Sequence, residues 1–211
     1  MSLAYFRDRT LYVNPTNRCT NDCVFCIRQF CDGVFGYDLR LTRDPTPAEL
    51  VAAVTSSMKD RDLDEVAIVG LGEPTLNLDA ILETIRAVKQ LSSIHVRMDT
   101  NGHGLLIHPQ RDVPGELAHA GLDSVNVSLN APDAATYVRL CRPVYGESAF
   151  GSMLEFARRC RELMQVRLSV VNLPDLDLEA CHRLAQDMDV DLRVRKFTGP
   201  DAVLQRIRLN V

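Results

Sequence analysis

Apolar residues along this chain recur at two alternating spacings, and the alternation predicts its elements. Thr46-Pro47-Ala48-Glu49 combines a capping hydroxyl, a proline at the first helical position and a capping-box glutamate. Leu50, Val51, Val54 and Met58 follow at helical spacing. Glu65-Val66-Ala67-Ile68-Val69 is an apolar run of the kind expected from a strand covered on both faces. A helix over about 78–91 places Ile81, Leu82, Ile85 and Val88 along one stripe. The pattern then repeats, with strands predicted over 95–98, 124–129, 166–173 and 191–197. Helices are predicted over 115–119, 131–140, within 146–164 and over 177–188. Near the start, Ala4–Phe6 and Leu11–Val13 flank Asp8-Arg9 and predict a small hairpin whose second arm is the first core strand. The two glycines of Asp32-Gly-Val-Phe-Gly-Tyr-Asp38 predict a loop.

Six strand-like runs alternating with helices specify a parallel sheet with right-handed crossovers, and six units are too few to close an eight-stranded barrel. The expected fold is therefore α/β, an open or partial barrel with a mostly parallel six-stranded sheet. With no low-complexity segment, linker or short repeat, residues 1–211 are expected to form a single domain. Ligands of parallel α/β folds gather at the carboxyl ends of the strands, and polar or glycine-rich residues stand there in succession. They are Gly70-Leu71-Gly72-Glu73-Pro74, then Asp99-Thr100-Asn101-Gly102, then Ser128-Leu129-Asn130. Each has an ordinary reading beside the functional one: a tight turn, an Asn-Gly turn and a helix cap from Asn130. In the irregular stretch Leu140–Gly146, Arg142 is a candidate partner for a ligand carboxylate, or a surface ion pair.

Composition narrows the function classes. The chain has 211 residues, 46% hydrophobic and 25% charged, as in ordinary globular proteins. A net charge of −4 argues against general affinity for nucleic acid or an anionic membrane. No secretory signal precedes the first cysteines and no apolar run approaches membrane-spanning length, so the expected compartment is cytoplasmic. In that setting the seven cysteines point to reduced thiols and metal ligation rather than disulfides. Cys160 and Cys181 fall on apolar helical stripes and are expected in the core, whereas Cys31 and Cys141 are expected in loops. The five histidines form no ligand pair; His103 lies just past a strand end and is the candidate among them to face the pocket, with an exposed loop residue as the ordinary expectation.

Cys19-Thr20-Asn21-Asp22-Cys23-Val24-Phe25-Cys26 concentrates three thiols in one loop, a ligand pattern for a single metal centre. Four cysteines close every iron of an iron–sulfur cube, whereas three leave one iron open, as a catalytic site requires. A zinc module built on Cys19, Cys23, Cys26 and Cys31 is the alternative from another class.

This Cys-x3-Cys-x2-Cys loop, with an aromatic before its last cysteine, resembles that of the radical S-adenosylmethionine (SAM) superfamily. The resemblance implies a (β/α)6 partial barrel, with a [4Fe-4S] cluster on Cys19, Cys23 and Cys26. SAM is then chelated at the open iron and cleaved reductively, giving a 5′-deoxyadenosyl radical that abstracts hydrogen from a substrate. It also implies SAM contacts from Phe25, from Gly70, Gly72, Glu73 and Pro74 (where Leu71 departs from the family's Gly-Gly-Glu-Pro), and from Thr100, Asn101, Ser128, Asn130 and Arg142. Asn14–Arg28, Gly36–Arg40 and Leu140–Pro143 resemble the TatD-associated group of that superfamily, named for a link to TatD-type hydrolases. An electron donor of flavodoxin or ferredoxin type is implied, and the substrate is not. A related expectation is an activase that installs a radical on a partner enzyme. The short chain further suggests a wide barrel mouth, open to a macromolecular substrate or a capping partner.

Overall fold

The first helix, α1 (Pro47–Met58), begins where its sequence directs. Thr46 Oγ1 accepts from the Glu49 amide, and the Glu49 carboxylate accepts from the Thr46 amide. The computed structural model describes residues 1–59 and 61–209. Before α1 come the hairpin β1 (Ala4–Arg7) and β2 (Thr10–Val13), then a small hairpin of β3 (Gly33–Val34) and β4 (Tyr37–Asp38). After it follow β5 (Glu65–Ile68), α2 (Leu78–Leu91), β6 (His95–Thr100), α3 (Gly104–Ile107), α4 (Val113–Ala120) and β7 (Ser124–Ser128). The chain continues through α5 (Ala134–Cys141), α6 (Ser148–Arg161), β8 (Gln165–Asn172), α7 (Leu178–Asp187), β9 (Asp191–Lys196) and α8 (Asp201–Leu209).

The main sheet has the order β1-β2-β5-β6-β7-β8-β9. From β2 to β9 every pairing is parallel, and β1 adds an antiparallel seventh strand at the edge. β1 and β9 do not pair, so the barrel is open. The six expected parallel strands are present. The seventh follows from the short turn at Asp8, which adopts φ 52° and folds β1 back onto β2.

Alternation sorts the sheet into two faces. Val66, Ile68, Val96, Met98, Val125, Val127, Leu168 and Val170 are fully buried in the principal core, with Ile81, Ile85, Leu117, Met153 and Phe156 from the helices. The opposite, lumen-side positions are mostly polar, among them Arg97, Asp99, Asn126, Ser128, Ser169 and Arg195. Charge on the open face and hydrocarbon on the helical face is the division a partial barrel with a working interior requires.

Several expected elements are corrected. The 32–38 loop is a short hairpin, β3–β4, turned by Phe35 and Gly36 at positive φ. The fifth helix begins at Ala134 because Asp133 caps it through the Thr136 amide, so Asn130 is not the cap. Cys141 is the last helical residue of α5 and fully buried rather than in a loop. Among the described residues no helix is long and apolar enough to cross a membrane.

Candidate active site

Beyond β2 the chain crosses the loop that follows β5, and glycine makes the crossing possible. A Cβ at Gly72 would stand 2.5 Å from the Thr16 carbonyl oxygen and closer still to that of Arg18. The close approach at this glycine is to the chain's own backbone, sealed by the Glu73 amide donating to Arg18 O at 2.8 Å. Gly72→Ala is accordingly expected to lower stability by about 1–3 kcal/mol, as overpacking does. Denaturant titration checks it; a loss below 1 kcal/mol would show that residues 16–18 yield freely.

The cysteine loop then lies against the end of α5. Asp22 and Val24 amides donate to Cys141 O and Leu140 O at 3.0 and 2.9 Å, and the Val144 amide to Thr20 O at 2.9 Å. The irregular 140–146 segment therefore serves the loop through its backbone. One guanidinium spans the loop: Arg28 donates to Asn17 O (2.9 Å), Asn21 O (3.1 Å) and Cys26 Sγ (3.4 Å). Cys19 Sγ receives the Asn21 amide at 3.4 Å and Asn101 Nδ2 at 3.8 Å. N–H groups aimed at sulfur favour thiolate. Without a metal, burial pushes the Cys19 thiol up to about 12, while a hydrogen bond with Cys141 and burial raise that of Cys23. Metal loading displaces such protons.

The ends of β5 and β6 are joined by Glu73, whose carboxylate is 1% exposed. Its Oε1 accepts from Thr75 N (3.1 Å), Thr75 Oγ1 (2.7 Å) and Thr100 Oγ1 (2.7 Å), and Oε2 from the Asn101 amide (2.7 Å). Burial raises its pKa and these donors oppose the rise.

Behind the loop runs a buried polar chain. Asn101 Nδ2 donates to Thr20 Oγ1 (2.8 Å), which meets His103 Nδ1 (2.8 Å); His103 Nε2 meets Tyr137 Oη (3.0 Å), which also accepts from Asn21 Nδ2 (3.1 Å). A neutral imidazole accepting at Nδ1 and donating from Nε2 satisfies every link. His103 is thus fully buried, against the expectation of an exposed loop residue, because Tyr137 of α5 folds over it. Burial depresses its pKa from 6.5 to about 4. The unfolded chain therefore binds the extra proton first, and stability falls as pH drops from about 6.5 toward 4. The expected loss is about 3 kcal/mol. Denaturant titrations at pH 7.5 and 4.5 should show that slope in the native chain and a flatter one in His103→Gln.

One cavity of about 430 Å³ gathers the strand ends and the loop, a volume in the range of small-molecule sites. Cys19, Cys23, Phe25, Cys26, Gly70, Gly72, Glu73, Thr100, Asn101, Ser128 and Asn130 all line it. Pro74 does not line it and instead opens the buried turn 74–77. Arg142 lies outside it too, exposed at positive φ (46°) beside a separate cavity with Val24 and Val203. Cys31 is also absent from the lining. Among the described residues no three His, Cys, Asp or Glu side chains sit close enough to hold a single metal ion. A zinc ion needs four ligands around one point, whereas a cube accepts thiolates at separate corners.

A family model described as the radical SAM superfamily matches residues 13–188. The chain belongs to the radical SAM superfamily. A probable GTP 3′,8-cyclase of Saccharolobus islandicus (strain L.S.2.15 / Lassen #1) is 31% identical over 163 residues, covering 76% of this chain and 47% of the relative. The GTP 3′,8-cyclase of Corynebacterium glutamicum is 31% identical over 138 residues, covering 64% of this chain and 34% of that protein. The chain spans about half the length, or less, of these curated relatives. The fold is shared with Streptococcus suis SuiB bound to S-adenosylmethionine, at a TM-score of 0.70 and 18% identity over 95% of this chain and 46% of that one. Radical SAM membership implies SAM and a [4Fe-4S] cluster as general cofactors.

Whether these residues fit such cofactors is tested by their unused polar atoms. Of the buried side-chain atoms without a hydrogen-bond partner among the described residues, Asn21 Oδ1, Asn130 Oδ1 and Arg195 Nε belong to residues lining the cavity of the cysteine loop. Buried polar groups are normally paired, so two acceptors and a donor left unpaired on residues around one cavity fit a site that a polar ligand completes. Asn21, Arg28, Ser169 and Arg195 were not picked out from sequence. For Arg195 a signal existed: Asp191, Arg193 and Arg195 recur at strand period.

Proposed function

We propose that this chain is a radical SAM enzyme that cleaves SAM reductively, with residues 1–211 as one core domain. The observation that carries the reading is the single cavity lined by Cys19, Cys23 and Cys26 together with the ends of β5, β6 and β7. Cys19, Cys23 and Cys26 would hold the [4Fe-4S] cluster. When bound, it would supply the electron that splits the sulfonium of SAM and yields the 5′-deoxyadenosyl radical. The chain's own contribution is positional. Arg28 and the Asn21 and Asn101 N–H groups orient the sulfurs, and Glu73 fixes the strand-end loops against each other. Asn130 and Ser128 offer polar groups for the nucleoside or the methionine end of SAM. Phe25, 9% exposed, presents an apolar edge beside Cys26.

The hydrogen donor is left open, and the cyclase relatives make GTP a compound to screen. The resemblance to the TatD-associated group supports looking for a functional link to a TatD-type hydrolase. A flavodoxin- or ferredoxin-like protein is the expected electron donor, a cytoplasmic compartment the expected setting, and a macromolecular substrate or capping partner remains part of the proposal. Anaerobically reconstituted, reduced protein incubated with SAM is expected to bind about four irons per chain and release 5′-deoxyadenosine. Colourless protein carrying one zinc would refute the reading.

A further inference from the structure

β9 is the outer strand of the parallel sheet, and Asp191, Arg193 and Arg195 share its lumen face. The two arginines lie about 7 Å apart along the strand. Asp191 stands 3.9 Å from Arg167. Among the described residues neither the Arg193 nor the Arg195 side chain makes a hydrogen bond or ion pair, and Arg195 Nε is buried without a partner. The neighbouring lumen arginine differs, because Arg97 is paired with both Glu65 and Asp99. Asp99, the carboxylate that attracts Arg195, already accepts from Arg97 and Asn126 on Oδ1. Burial and the like charge of Arg193 both work against the Arg195 cation. A guanidinium kept in that position without an anion is poised for one from outside the chain, and its planar fork suits an oxyanion.

We propose that Arg195 receives a phosphate or carboxylate group of the substrate, while Arg193, which lines a separate cavity toward the amino ends of the strands, adds only longer-range attraction. The word substrate rests on the radical SAM reading; the anion site rests on β9 alone. Position argues against the carboxylate of SAM. The polar strand ends assigned to SAM belong to β5, β6 and β7, and β9 stands two strands, about 10 Å, beyond β7. Arg195 lines the same cavity as the cysteines, so an anion held there would keep the remainder of its molecule within that cavity.

Calorimetric titration of the full chain at low salt, with inorganic pyrophosphate and with succinate, tests the site and separates phosphate from carboxylate. The native chain is expected to bind at least one of them, and Arg195→Gln to weaken that binding tenfold or more. Arg193→Gln should cost a few-fold, and Arg195→Lys an intermediate amount because an ammonium lacks the fork. If Arg195→Gln does not fold, Arg195→Lys and Arg193→Gln, the latter an exposed position, give the same reading. Failure of the native chain to bind either anion, or equal binding by all variants, would overturn the proposal. So would a tenfold loss of SAM affinity by reconstituted Arg195→Gln with anion binding unchanged, which would assign Arg195 to the carboxylate of SAM. The anion titrations need no cluster, so a failure to cleave SAM leaves their outcome independent.

Discussion

Replacing Cys23 by alanine is expected to abolish both the iron content and the formation of 5′-deoxyadenosine. Loss of an outer-shell partner of a metal ligand costs 10–100-fold, so loss of a ligand is expected to cost roughly 100-fold or more in product. The backbone on either side of Cys23 is held by the 140–141 carbonyls, and the thiol sits against Cys141 at the end of α5. The loop should therefore keep its shape in the variant, and circular dichroism should be unchanged. Cys31→Ala separates the competing readings. A cube on three cysteines leaves iron binding intact in that variant, whereas a zinc site on four cysteines loses its metal. Iron and zinc analysis after anaerobic purification decides between them, and full-rate product from Cys23→Ala would refute the ligand assignment.

Glu73→Ala is the second substitution with a large expected effect, and here it falls on folding. It removes one acceptor from four donors, Thr75 N, Thr75 Oγ1, Thr100 Oγ1 and the Asn101 amide, in a place that water hardly reaches. Orphaned buried donors cost about 1–3 kcal/mol each before relaxation, so a net loss of about 3–5 kcal/mol is expected in urea titrations. Glu73→Gln keeps the shape but turns an amide NH₂ toward at least one donor, and about 1–2 kcal/mol is expected. The pair also separates architecture from ligand binding. A purely architectural Glu73 leaves the SAM affinity of folded Glu73→Gln within a few-fold of native. A tenfold or greater loss would show that the carboxylate also meets the ammonium of SAM.

Local signals were legible wherever one residue type has one dominant use. Thr46, Pro47 and Glu49 announce α1, and the fully buried Val66-Ala67-Ile68 was readable as an apolar run. The cysteine spacing pointed to the ligand loop. Residues whose role depends on a distant neighbour were misread. His103 was expected in solvent because nothing near it in sequence announces that Tyr137 will cover it. Arg142 was a candidate for a ligand carboxylate or a surface ion pair, and the left-handed turn at the end of α5 places it exposed outside the cavity. Asn130 was a plausible cap until Asp133 took that place. The helix α8 carries only weak periodicity and was not anticipated.

By itself the sequence determined the order of the parallel strands and the main helices between them, the open parallel sheet and the trio of thiols, because each is written in spacing a few residues long. Only the tertiary structure decided which polar groups share a wall. Arg195, Asn21, Glu73 and Cys19 are up to 176 residues apart in the chain, and they face one cavity because parallel pairing aligns the carboxyl ends of successive strands. Whether a charge there already has a partner is a property of that alignment, and no local pattern of residues contains it.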